Sequence, residues 1–218
     1  MKKQIFFLLG ICIVTINSYG QNFALKSNLL YDVTTTFNLG FEVALADQWT
    51  LDISGNYNPW AFSQYERITT DGEAQTIKTH DAKLKHFMIQ PEVRWWPCEK
   101  FYGHFFGVHL HYGIFNIGGL TFLPDGWGDG WTGKDGEVHK EGIQNKRFEG
   151  WLMGTGVSYG YHWVVNDYFS MEFTLGGGYT YLSYDKYSCT NCSSKEESNY
   201  MRYFGPTKIG ISAIFILK

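Results

Sequence analysis

The chain has 218 residues, a formal net charge of −3 and a mean hydropathy of −0.23. That length suits one sizeable domain rather than two independent cores, and the acidic balance gives no reason to expect nucleic-acid binding. Only 18% of residues are charged while 18% are aromatic, against about 25% charged in an ordinary soluble domain.

The first segment reads as an export signal. Met1-Lys2-Lys3 is basic, residues 5–16 are apolar, and Ser18-Tyr19-Gly20 places small residues where a signal peptidase cuts. A cleaved signal peptide is expected over 1–20, leaving 21–218 as one barrel domain that begins at Gln21. Losing Lys2 and Lys3 takes the mature charge from −3 to −5. The apolar run falls short of the roughly 20 residues a helical span needs. Cys12 lies inside it rather than at the cut, which excludes a lipoprotein. No later run reaches spanning length, so a helical membrane protein is excluded as well.

Beyond Gln21 the dominant period is two. In 49–58 the odd positions Trp49, Leu51, Ile53, Gly55 and Tyr57 alternate with an all-polar set. In 151–165 Met153, Val157, Tyr159, Tyr161, Trp163 and Val165 oppose Gly154, Gly156, Ser158, Gly160 and His162. In 169–181 Phe169, Met171, Phe173, Leu175, Tyr179 and Tyr181 oppose Ser170, Glu172, Thr174, Gly176, Gly178 and Thr180. So much glycine is incompatible with helix. Strands are predicted at about 23–33, 37–46, 49–58, 86–96, 102–116, 149–165, 168–183 and 203–217. Each is long enough for a tilted membrane crossing of about 9–11 residues.

Between these strands, 47–48, 97–100 and 166–167 are short turns, whereas 59–85, 117–148 and 184–202 read as long polar loops. Thr34-Thr35-Thr36 is a short link standing where a long loop belongs. Short and long connections alternate, as in an outer-membrane barrel with short periplasmic turns and long external loops. Aromatic residues at strand ends (Phe23, Tyr31, Phe37, Trp49, Tyr57, Trp95, Trp151, Trp163, Phe169, Tyr181) fit two girdles at the lipid headgroups. The expected fold is an all-β, eight-stranded antiparallel up-and-down transmembrane β-barrel, with outer-membrane lipid around it.

A barrel of eight strands is filled by its own side chains. The same register points Lys26, Asn28, Asp32, Glu42, Asp52, Gln90, Glu92, Arg94, His109, His111, His162, Glu172 and Lys208 inward. Enclosed charges must pair or be hydrated. A structural network is therefore expected, in which Arg94 with Lys208 or Lys26 is bridged by Glu92, Glu42, Asp52 and Glu172. Proton or ion conduction is the functional alternative.

Three further motifs are weaker. Cys189-Thr190-Asn191-Cys192 is a C-x-x-C in a loop, without the helix N-terminus a redox thiol needs. A disulfide stiffening the loop is the expected reading, half of a zinc site the alternative, and Cys98 is expected free. Asp125-Gly126-Trp127-Gly128-Asp129-Gly130 puts Gly136 where a calcium loop needs Glu, so a flexible loop is expected, with Trp127 and Trp131 available to a carbohydrate or protein. Gly154-Thr155-Gly156-Val157-Ser158 does not fit the hydrolase elbow G-x-S-x-G. No catalytic residue, cofactor or metal is assigned.

Taken together, Asn28-Leu29-Leu30-Tyr31-Asp32, Thr34-Thr35-Thr36, Asn38-Leu39-Gly40, Gly55-Asn56-Tyr57-Asn58-Pro59-Trp60, Gln90-Pro91-Glu92-Val93-Arg94, Tyr184-Asp185-Lys186-Tyr187 and Tyr203-Phe204-Gly205-Pro206-Thr207-Lys208 resemble an uncharacterised family of small outer-membrane barrels widespread in Bacteroidetes. The resemblance covers nearly all of the mature chain. It implies a barrel of unknown function, some of whose relatives are associated with fimbrial or other surface-assembly proteins, and it carries over no catalytic residue. The expected function is a non-enzymatic outer-membrane barrel whose external loops bind or assemble a surface or fimbrial partner. A lipid-modifying barrel enzyme and a soluble lipocalin-like carrier are the alternatives.

Overall fold

The computed structural model describes residues 23–70, 73–120, 131–132, 138–139, 146–188 and 194–217. Its elements in chain order are β1 (Phe23–Asn28), α1 (Leu29–Val33), β2 (Phe37–Ala46), β3 (Trp49–Thr70), β4 (Glu73–Trp95) and β5 (Gly103–Gly118). A two-residue hairpin of β6 (Trp131–Thr132) and β7 (Val138–His139) follows, then β8 (Arg147–Val164), β9 (Phe169–Tyr187) and β10 (Lys195–Leu217). Setting the small hairpin aside, eight strands pair antiparallel with their chain neighbours. The ring closes between β1 and β10, with Phe23 opposite Leu217 and Asn28 opposite Ser212. The chain is an all-β, up-and-down, eight-stranded closed barrel.

Period-two patterning sets the polarity of its wall, because successive side chains of a strand point to opposite faces. In β5, Phe105, Gly107, His109, His111 and Gly113 are buried, while Phe106, Val108, Leu110, Tyr112 and Ile114 are exposed. Every other long strand repeats this, so the charges lie inside and the bulky apolar side chains outside. The arrangement inverts that of a protein with a dry core and a wet surface.

Three expectations change. The first strand stops at Asn28, and residues 29–33 form α1 instead of continuing it. Asn28 caps that turn by accepting from the Leu30 amide, and its Nδ2 donates to the Ile209 carbonyl at 3.2 Å. Tyr31 therefore belongs to the helix rather than to a strand end. Residues 59–85 and 184–202 are not simply loops: β3 and β4 run on as one long hairpin, and β9 and β10 stay paired as far as Tyr187 and Lys195. These extensions lie beyond the exposed apolar belt, and their sequence no longer alternates strictly between polar and apolar residues.

Because β2 begins only opposite Tyr57 and β1 ends opposite Ser212, six strands rise past the other two. They form a wall with edges at β3 and β10 that are unpaired among the described residues. At the opposite end Trp96, Phe101, Phe105, Ala24, Ile214 and Ile216 pack into an apolar plug. The turn that delivers Trp96 and Phe101 places Phe101 at φ 60° and Gly103 at φ 74°. Left-handed backbone is costly for Phe, and the burial of its ring offsets that cost. The leader expected over 1–20 and the cysteine pair Cys189 and Cys192 lie outside the described residues.

Candidate functional site

The barrel's register sets up an electrostatic problem. Glu42 lies opposite Asp52, and Asp52 opposite Glu92, in one row across β2, β3 and β4. Like charges on directly opposed residues repel, and all three are buried. Arg94 lies two residues from Glu92 on β4 and resolves the conflict. Its Nε donates to Glu92 Oε1 at 2.6 Å, one terminal nitrogen to Glu42 Oε2 at 2.9 Å and Glu172 Oε2 at 3.0 Å, and the other to Asp52 Oδ2 at 2.7 Å. Only guanidinium has the planar donor set to serve four carboxylates at once.

Two lysines complete the network from the closing strands. Lys26 of β1 donates to Glu172 at 3.0 Å and pairs with Glu42. Lys208 of β10 donates to Glu92 Oε2 at 2.6 Å and lies 3.6 Å from Asp52. Three cations thus face four carboxylates. Hydroxyls fill the remaining acceptor positions, Thr50 donating to Glu42 and Thr174 to Glu172 Oε1 at 3.0 Å.

The histidines border the network without joining its strongest bonds. His162 Nδ1 stands 3.7 Å from Glu172, with its ring edge-on to Trp96. His109 Nδ1 is 3.9 Å from Glu92 while its Nε2 contacts Thr207 Oγ1 at 2.9 Å. His111 Nε2 contacts Thr180 Oγ1 at 2.8 Å. Asp32, expected inside, is exposed on α1, where it accepts from Ser27 and Asn38. The helix carries it off the face that strand parity assigned.

Above the network a cavity of about 50 Å³ is lined by Asn28, Asn38, Asp52, Gln90 and Ser212 among others. Asp52 Oδ1 and Gln90 Nε2 are buried and make no hydrogen bond within the protein. The space suits a hydrogen-bonded water.

Sequence reasoning missed the layer that joins charge to plug. Trp96 Nε1 donates to Thr50 Oγ1 at 3.0 Å, and the Arg94 guanidinium lies 4.3 Å over the Phe105 ring. Both were legible in principle. Trp96 shares the parity of Glu92 and Arg94, and Phe105 that of His109. The rule that inward positions are polar hid them.

Lumen packing depends on small residues. At Gly107, opposite Arg94, an added Cβ meets the Glu92 carboxylate oxygen at 2.7 Å, whereas at outward-facing Gly177 it meets only the Gly205 carbonyl at 3.5 Å. Gly107→Ala is expected to destabilise the barrel by about 1–3 kcal/mol, the usual cost of overpacking. Gly177→Ala should leave it near wild type. Equal melting temperatures for the two variants in detergent would contradict this packing.

As chemistry, these groups are committed to one another. Ser158 Oγ makes no hydrogen bond within the protein, and the nearby imidazoles contact threonines. No cluster of three or more His, Cys, Asp or Glu among the described residues is arranged to hold a metal ion. Cys98 is exposed and free.

Among known proteins, a family model described as "Protein of unknown function (DUF3575)" matches residues 5–217. No curated protein matches the chain.

Proposed function

The chain belongs to the DUF3575 family of proteins of unknown function, and from its geometry we propose that it is a non-enzymatic outer-membrane barrel, closed to transport, whose external strands bind or assemble a surface partner. The observation that carries this reading is the inverted polarity of the wall. Ionised groups are enclosed and exposed apolar side chains encircle the barrel, Val157 at 65% and Leu110 at 59% exposure among them. Such a belt is costly in water and stable in hydrocarbon, where a closed barrel also leaves no backbone group unpaired.

Aromatic residues mark both limits of the belt. Toward the plug stand Trp49, Trp95 stacked on Phe106, and Trp163 against Tyr161. Toward the wall stand Tyr57, Trp151 and Tyr181. A packed, charged lumen closed by Trp96 and Phe105 supports an anchor over an enzyme that admits an acyl chain, and over a carrier with an apolar cavity. The wall and its two strand edges are the surfaces left for recognition, and pairing of a partner strand to such an edge is an established mode. Assembly of surface fibres is the concrete form of this proposal, with the chain exported by a cleaved leader.

Topology offers the test. Cys98 lies in the turn on the plug side, with the strand ends Phe23 and Leu217, which this reading places in the periplasm. In cells expressing Cys189→Ser/Cys192→Ser, a membrane-impermeant maleimide is expected to label Cys98 only after the outer membrane is permeabilised. Labelling in intact cells would reverse the orientation. Recovery of the protein in the soluble fraction would end the membrane reading.

A further inference from the structure

Above the apolar belt, register places Pro59, Lys85, Asn116, Glu149 and Asp185 in one row across β3, β4, β5, β8 and β9. Two residues nearer the plug on each of the first four strands, Tyr57, Phe87, Ile114 and Trp151 form the adjoining row. The two rows line a groove of about 530 Å³, with Tyr112 and Tyr187 at its ends. All four side chains of the lower row are exposed, Trp151 the least of them because it leans on Tyr181 at 5.7 Å between ring centres.

The upper row is largely self-neutralised. Glu149 is 3.4 Å from Arg147 and accepts from Asn116 Nδ2 at 3.2 Å. Asp185 accepts from Ser198 at 2.9 Å and pairs with Lys195 at 2.7 Å, which holds its carboxyl below the usual range. Arg147 in turn lies 3.9 Å over the Tyr187 ring. Lys85 is exposed and in no ion pair among the described residues, and the Glu149 and Asp185 side chains keep 48% and 37% of their surface exposed.

We propose that this groove binds the sugar headgroup of a membrane glycolipid. Such a headgroup presents C–H faces to aromatic rings and hydroxyls to polar groups at the same time. Tyr57 and Trp151 supply amphipathic rings of the kind that gather where apolar and wet surfaces meet, and Phe87 adds an apolar ring between them. The exposed carboxylates of Glu149 and Asp185 accept from sugar hydroxyls. Lys85 donates to a second oxygen. A sugarless phosphate headgroup fits less well, because it brings no hydroxyl to the carboxylates of Glu149 and Asp185 and is repelled by their charge. The lower row continues into the apolar belt, so the acyl chains of the same lipid have a path along the barrel. This inference rests on the membrane reading above.

The test uses the full mature chain folded in detergent and titrated calorimetrically. The two probes are a micellar glycolipid with a neutral disaccharide headgroup and a phosphatidylmethanol of equal chain length, whose phosphate headgroup carries no hydroxyl. The glycolipid is expected to bind about tenfold more tightly, and Glu149→Leu and Tyr57→Ala each to weaken it by about tenfold, the equivalent of one hydrogen bond or ring contact. Heat-modifiable gel mobility reports folding of every variant. A folded protein that does not discriminate between the lipids, or variants that bind as wild type, would overturn the proposal alone. A wild-type chain that gives no heat-modifiable band in detergent would overturn the membrane reading and this proposal with it.

Discussion

Arg94→Ala is expected to cost about 3–5 kcal/mol, the range for breaking a buried ion pair, and to lower the melting temperature in detergent by roughly 10 °C. Arg94 is 1% exposed and donates to four carboxylates. Removing it leaves Lys26 and Lys208 to neutralise Glu42, Asp52, Glu92 and Glu172. Two charges would then stand uncompensated in a closed interior, and Glu42, Asp52 and Glu92 are register neighbours. Arg94→Lys should fall between wild type and Arg94→Ala, because an ammonium restores the charge but cannot reach four partners in one plane. Thermal unfolding followed by gel mobility checks this, and a melting temperature unchanged in Arg94→Ala would show that the network contributes nothing to stability.

Trp96→Ala should be comparably damaging, at about 3–5 kcal/mol for emptying the site of a buried Trp. Trp96 is fully buried against Phe105 at 4.9 Å and Phe101 at 6.0 Å between ring centres. Its indole N–H also holds Thr50, which in turn donates to Glu42. Trp96→Phe separates the two roles. It keeps most of the ring packing and loses the donor, so a loss of about 1 kcal/mol is expected. If Trp96→Phe is as unstable as Trp96→Ala, the hydrogen bond rather than the packing carries the plug.

Most of the lumen was open to inspection in the chain itself. The parity of Glu42, Asp52, Glu92, Arg94 and Glu172 follows from period two, a property of adjacent residues. Asp32 shows where parity fails. It shares the parity of Lys26 and Asn28, although Leu30 interrupts the alternation, and Asn28, a good helix cap, turns the chain out of the strand. The extensions at 59–70 and 195–202 were hidden for a related reason. Alternation marks a wall with one wet and one dry face, and these segments, which lie beyond the apolar belt, do not alternate. Their strand character comes from pairing with β4 and β9, which no local pattern records.

The sequence by itself determined an eight-stranded, inside-out barrel, since strand polarity and number depend on neighbouring residues and on the turns between them. Only the tertiary structure decided that four carboxylates share Arg94, that Lys26 and Lys208 meet the same cluster across the β1–β10 seam, and that Trp96 closes one end. Each of these depends on register and ring closure, which bring Phe23 beside Leu217. Contacts between residues so far apart are set by the packing of the whole barrel rather than by any stretch of the chain.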